Sequence, residues 1–330
     1  MSANSVHPSS HRLAARILLL SLGLLFALLL VEIVLRVITP APVKTIRKID
    51  DPILIYAHIP SFSLERPGWN VHYNSLGFRG PEIGPKRPGR PRVLFIGDSI
   101  TDGARDDDIV YPALVERLRA RTKKPIEAIN GGVTGYNVEQ VFRSLQLDSP
   151  LVEPDSVVYG FCLNDILPPG AVDEGGALKP ARFSLGVFLR RSRLVVRTGR
   201  FLQSLFIRRN RKPPIGDYAP YCRRVLDMYR PEEPRYHAVL DTLDRMAAYC
   251  GTNDLDLTVV FFPLATQFMG DDTGAQRTLT RFLERRRVRV IDLWKPFQEN
   301  GGAALFVMND PVHPTEEGHR LTARIIAEKI

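Results

Sequence analysis

The sequence predicts an α/β domain built on a parallel sheet with helices on both faces, set behind an N-terminal apolar helix. Three observations carry this. From residue 92 onward, short apolar runs alternate with amphipathic stretches of helical period, the pattern of a parallel sheet covered on both sides. Residues 17–38, ILLLSLGLLFALLLVEIVLRVI, are apolar almost throughout, and the first fifteen carry no charge. The chain has 330 residues, 44% hydrophobic and 25% charged, which suits one sizeable globular domain plus accessories.

Residues 1–16 read as a short tail and 17–38 as a transmembrane helix. Twenty-two residues at 1.5 Å each reach about 33 Å, enough for a bilayer core. Glu32 lies near the end of the run, where water and headgroups are within reach. A cleaved signal peptide is the rival reading, but the apolar run is long and TPAPVK is a poor small-residue cleavage site. A retained single-pass anchor is therefore expected. Arg12 and Arg16 precede the span, and Arg36, Lys44, Arg47 and Lys48 follow it. That count does not favour a short cytoplasmic tail, yet large domains are translocated despite such flanks, and an extracytoplasmic (periplasmic or extracellular) C-terminal domain is the expectation. Residues 39–90, rich in Pro and charge, read as a connector; HYNSLGFRGPE at 72–82 is turn-rich, with Gly77 and Gly80 as punctuation.

The main domain, 91–330, then unfolds in order. RVLFI is a strand, YPALVERLRAR a helix, IEAIN a short strand, and a helix follows near 138–147. DSVVYGF is a strand. Beyond an interruption at about 168–234, YHAVLDTLDRMAAYC is a helix, LDLTVVFF a strand, AQRTLTRFLERRR a helix, VRVIDLW a strand and TEEGHRLTARIIAEKI a terminal helix. The interruption is a basic insertion: residues 179–212 hold eleven Lys or Arg and no Asp or Glu. Phe188, Val195 and Leu202 recur every seven residues, and Arg190, Arg193, Arg197 and Arg200 lie on another side at helical spacing. Residues 184–210 therefore read as an amphipathic helix that either packs on the core or lies on an anionic membrane surface. Nucleic acid is not an expected partner, because no binding motif accompanies the charge.

In such sheets sites gather at the carboxyl ends of strands, and Ser99, Asn130 and Asn164 all fall there. Gly97-Asp98-Ser99 directly follows the first strand, which suits a helix cap as well as a nucleophile. Asp310 and His313 stand three apart in a turn before the last helix, so a carboxylate can reach one imidazole nitrogen and leave the other for a serine proton. Gly132 in INGGVTGYN can bring its N–H close to a substrate, and Asn164 in GFCLND offers a side-chain NH₂. Taken singly, each is also explained by a turn. Cys162, Cys222 and Cys250 show no disulfide framework or zinc spacing. Asp102, Asp106, Asp107 and Asp108 read as a solvated loop without metal-ligand spacing, and neither metal nor cofactor is expected.

In order, Gly-Asp-Ser, Asn-x-Gly-x-x-Gly, Asn-Asp and Asp-x-x-His-Pro make a set that resembles the SGNH hydrolase superfamily, the GDSL-like lipases and esterases, over about residues 92–330 without the insertion. The resemblance implies a three-layer α/β/α, flavodoxin-like fold and ester hydrolysis through an acyl-enzyme. It implies Ser99 as nucleophile, His313 as base with Asp310 as its partner, and an oxyanion hole of the Ser99 N–H, the Gly132 N–H and the Asn164 side chain. The third block departs from the family's Gly-x-Asn-Asp, since Cys162 stands where the glycine would be. The substrate would be an ester of a lipid or of an acylated envelope glycan. An O-acyltransferase using the same serine, or a non-catalytic module binding glycan or lipid, are the alternatives.

Overall fold

The computed structural model describes residues 8–38, 44–65, 70–103, 106–168, 219–270, 273–307 and 310–330. They fall into two units. In the first, helix α1 (Pro8–Ile38) carries the apolar run. Its stretch Ala15–Leu35 is long and apolar enough to cross a membrane, and none of it is buried. Such a helix serves as a signal sequence or a single membrane anchor. The basic insertion at 184–210 lies outside the described residues.

The second unit holds an α/β domain. Its five-stranded sheet is parallel throughout, in the order β6-β5-β7-β8-β9. Strand β5 (Arg92–Gly97) lies between β6 and β7 and is buried along its whole length, as an apolar run without alternation requires. The other strands are β6 (Glu127–Asn130), β7 (Ser156–Cys162), β8 (Asp256–Phe262) and β9 (Arg289–Asp292). Helices α3 (Tyr111–Arg119) and α10 (Glu316–Lys329) pack on each other. Helices α4 (Val138–Val152), α6 (Pro234–Thr252) and α8 (Gly274–Glu284) form a second group, α6 lying against both α4 and α8, while α5 (Ala219–Asp227), α7 (Gln267–Gly270) and α9 (Trp294–Glu299) are shorter helices between these elements in the chain. The result is the α/β/α arrangement with a parallel sheet that the alternation predicts, the core filled by such side chains as Phe95, Leu145, Tyr159 and Phe261. Helix α4 starts on a capping box, with Asn137 accepting from the Gln140 N–H and the Gln140 side chain returning to Asn137.

The stretch read as a connector is folded over its described residues. Strands β1 (Ile46–Lys48) and β2 (Tyr56–His58) form an antiparallel pair, as do β3 (Phe62–Leu64) and β4 (Val71–Tyr73). Ile46, Leu54, Tyr56 and Phe78 belong to the same hydrophobic core as the sheet. Bridges from Tyr73 to Arg79 and from Arg79 to Asn130 tie this segment to the end of β6.

Candidate active site

The site is built where β5 and β7 end side by side. Gly97 and Gly160 are partners across these strands. Gly97 has φ +153°, and a Cβ there would strike the Thr101 side chain and the Gly160 carbonyl. A Cβ at Gly160 would fall 2.5 Å from the Tyr111 hydroxyl and 2.6 Å from Thr101 Oγ1. The two glycines thus clear the space in which the chain turns at once into the four-residue helix α2 (Ser99–Asp102). Asp98 caps that helix through the Ile100 N–H at 2.9 Å, and Thr101 Oγ1 is 2.9 Å from the Tyr111 hydroxyl. Ser99 is the first helical residue, 8% exposed.

Ser99 Oγ lies 2.7 Å from His313 Nε2. On the far side of the ring, His313 Nδ1 is 2.6 Å from Asp310 Oδ2. The other carboxylate oxygen, Oδ1, accepts the Val312 and His313 N–H groups at 3.0 Å each. One carboxylate therefore both shapes the turn and fixes the imidazole. Burial pushes the Asp310 carboxyl up, but its hydrogen bond and charge interaction with His313 and the two backbone donors outweigh it, and the carboxyl stays below its ordinary value. The turn is tied to its surroundings by the Ala265 N–H on the Pro311 carbonyl, 2.8 Å, and by Val307 on the His313 carbonyl, 2.9 Å. Thr315 then caps α10.

Asn164 sits in a 3₁₀ turn, Leu163–Ile166, that leaves the end of β7. Cys162 there has φ −96° and ψ 147°, extended backbone open to any residue, so the missing glycine costs nothing in conformation. The turn is held by Asp165, which accepts from the Tyr159 hydroxyl at 2.7 Å and the Cys162 N–H at 3.3 Å. The Asn164 side chain lies beside the Asp98 carboxylate and the Tyr221 hydroxyl. Asp98 is fully buried; burial raises its carboxyl pKa, opposed by the Ile100 N–H, the charge of His313 and the hydroxyl and amide beside it.

Gly132 lies against the other end of α2. A Cβ at that position would collide with the Asp102 backbone and with Thr101, so only glycine fits. Its N–H donates to Asn130 Oδ1 at 3.0 Å, and its carbonyl is 3.1 Å from His58 Nε2. The structure thus joins Ser99, His313 and Asp310 in one chain of contacts, places Asn164 beside Asp98, and directs the Gly132 N–H at Asn130.

Asp102 departs from the solvated acidic loop that its neighbourhood suggests. It is 5% exposed and accepts hydrogen bonds from Tyr73 at 2.9 Å and Thr134 at 2.7 Å. Arg79 and His58, buried beside it, are the polar residues that sequence reasoning missed. The signal was present in the Arg79 of HYNSLGFRGPE, a cation among turn residues. Among the described residues no group of three His, Cys, Asp or Glu side chains is placed to hold a metal ion, and Cys162, Cys222 and Cys250 are buried free thiols.

The profile of a family described as GDSL-like Lipase/Acylhydrolase family matches residues 95–321. No curated protein matches the chain. Among solved structures, the chain is similar to an alpha/beta hydrolase enzyme from the metagenome of Lake Arreo, Spain, at 18% identity and TM-score 0.46, covering 72% of this chain and 95% of that one. It is similar to an acetylxylan esterase from Geobacillus stearothermophilus at 18% identity and TM-score 0.45, covering 72% and 93%. It is also similar to the lipase/acylhydrolase from Enterococcus faecalis at 17% identity and TM-score 0.43, covering 73% and 95%.

Proposed function

Because the chain belongs to the GDSL-like lipase/acylhydrolase family and is an ester hydrolase of that kind, we propose that Ser99 is its nucleophile, His313 its general base and Asp310 the group that orients His313. The observation that carries this is the unbroken run Oγ–Nε2, Nδ1–Oδ2 at 2.7 and 2.6 Å. His313 takes the Ser99 proton on Nε2 as Oγ attacks the ester carbonyl, while Nδ1–H stays on Asp310, which stabilises the imidazolium. The imidazolium returns the proton to the leaving alcohol, and an acyl-enzyme remains on Ser99. His313 then deprotonates a water molecule that attacks this acyl group; the acid leaves and Ser99 is restored.

The oxyanion that forms in each half of the reaction is held by the Ser99 N–H, the Gly132 N–H and the Asn164 NH₂. In the resting site the Gly132 N–H rests on Asn130 Oδ1, so it joins this set by sharing its hydrogen between two acceptors. The exposed apolar helix α1 supports a retained anchor and hence esters presented at a membrane, on lipid or on acylated envelope glycan; the extracytoplasmic placement of the domain is part of the proposal and rests on the translocation of large domains despite basic flanks. The basic stretch 184–210 is proposed as a second membrane contact. Exchanging Arg190, Arg193, Arg197 and Arg200 for Gln should abolish salt-sensitive binding to anionic vesicles by a chain lacking residues 1–40; unchanged binding rejects it.

The test of the chemistry is labelling by a serine-reactive fluorophosphonate. Wild type should be labelled at Ser99, and both Ser99→Ala and His313→Ala should lose ester hydrolysis by several orders of magnitude with folding retained. Equal labelling of Ser99→Ala removes the assignment.

A further inference from the structure

Arg79 belongs to the segment 72–82, which the chemistry above leaves unused. Its side chain is 1% exposed. Nε donates to Asp107 Oδ1 at 2.8 Å, and Nη1 donates to the carbonyl oxygens of Asp102 and Gly103. Those carbonyls belong to the last residue of α2 and to its C-cap, where a helix leaves its acceptors without internal partners. The Arg79 N–H meanwhile donates to the Asn130 carbonyl at 2.9 Å. Asn130 spans the same gap with its side chain: Nδ2 donates to the Thr101 carbonyl at 2.8 Å, and Oδ1 accepts from Gly132 at 3.0 Å. His58, stacked on Tyr73 with ring centres 3.9 Å apart, reaches the Gly132 carbonyl from the same N-terminal segment.

A four-residue helix has almost no stability of its own, so its direction is set by what holds its two ends. Asp98 holds the end that carries Ser99. We propose that Arg79 is a positioning residue of the hydrolytic site: it clamps the other end of α2 to the loop of Gly132, and so keeps Ser99 in line with His313. This rests on Ser99 being the nucleophile. A guanidinium suits the task because its donors lie in one rigid plane and meet two carbonyls and a carboxylate together, whereas a lysine ammonium is a point donor on a flexible stem. Asp107 and Asp102, the latter with Oδ1 3.8 Å from Nη1, offset the buried charge.

The experiment uses the full chain in detergent micelles and a soluble activated ester. Arg79→Lys should lower kcat by about 10²-fold with KM unchanged, the scale of effect that a small misplacement of a reacting group produces. The rate of fluorophosphonate labelling at Ser99 should fall in parallel. A merely structural arginine would instead lower the unfolding midpoint and leave kcat intact below the transition, and that result overturns the proposal. Asp107→Asn loosens the guanidinium while leaving both carbonyl contacts, and a fall in kcat of about tenfold at constant KM is expected. If Arg79→Lys does not fold, an unchanged kcat in Asp107→Asn overturns the proposal by itself. Ser99→Ala runs alongside: if it hydrolyses ester at the wild-type rate, the nucleophile assignment falls and takes this proposal with it. If Ser99→Ala is inactive while Arg79→Lys keeps full kcat, the clamp alone is rejected.

Discussion

Asp310 uses both of its oxygens, one to lock a turn and one to hold an imidazole, so its replacement acts on stability and on rate. Asp310→Asn puts an amide opposite Nδ1 and favours the wrong tautomer; kcat should fall by up to about 10⁴-fold. The stability effect has a definite sign. The carboxyl pKa is lowered in the folded protein, so its contribution is present above the unfolded value of about 3.9 and disappears as pH falls through the folded value. Unfolding midpoints of wild type and Asp310→Asn should therefore differ most near neutral pH and converge below about pH 4. A gap that persists in acid would separate the stability role from the carboxylate's charge. For Asn164→Ala, loss of one donor should lower kcat by about 10²–10³-fold with little change in KM; a change confined to KM would make Asn164 a substrate-binding residue instead.

At the scale of elements, the glycine pair at the ends of β5 and β7 decides whether α2 can sit where it does. Gly160→Ala should cost about 1–3 kcal/mol in urea unfolding, the range for forcing atoms into a filled space. It should also slow labelling of Ser99, since the new methyl group presses on Thr101 inside α2; unaltered stability would mean that Tyr111 yields freely. Strands β5, β7 and β8 were legible as near-continuous apolar runs and β6 and β9 as shorter apolar stretches between helical segments, and α3, α4, α6, α8 and α10 because their apolar positions recur with helical period. Ser99, Asp310 and His313 were legible as local patterns of residue type. The paired strands β1–β2 and β3–β4 were not, because three residues are too few to show a period. Asp102 was misread for a related reason. Its neighbours in sequence are acids, while the groups that bury it, Tyr73, Arg79 and Thr134, lie more than twenty residues away. Nor does anything local reveal that the Gly132 N–H already has Asn130 as a partner.

For the whole molecule, the compact unit that holds the sheet begins at Lys44, and we propose that catalysis needs the chain from there rather than from residue 91. A chain beginning at residue 44 should fold and hydrolyse a soluble ester at the wild-type kcat. One beginning at residue 91 lacks Ile46, Leu54, Tyr56 and Phe78 from the core. It also lacks Arg79, and should aggregate or be inactive. Circular dichroism and turnover measured together decide between the outcomes, and a stable, active chain from residue 91 would return 39–90 to the status of a connector. The formal net charge of +9 belongs in part to residues 179–212, whose eleven cations have no acid among them. The longest reach in the site is that between Ser99 and His313, 214 residues apart in sequence. A ribosome adding about 5–20 residues per second needs on the order of tens of seconds to cover that interval. Throughout it Ser99 lacks the base proposed for it, so on that assignment a chain still being made is silent toward the esters around it, and hydrolysis switches on only when the segment bearing His313 docks.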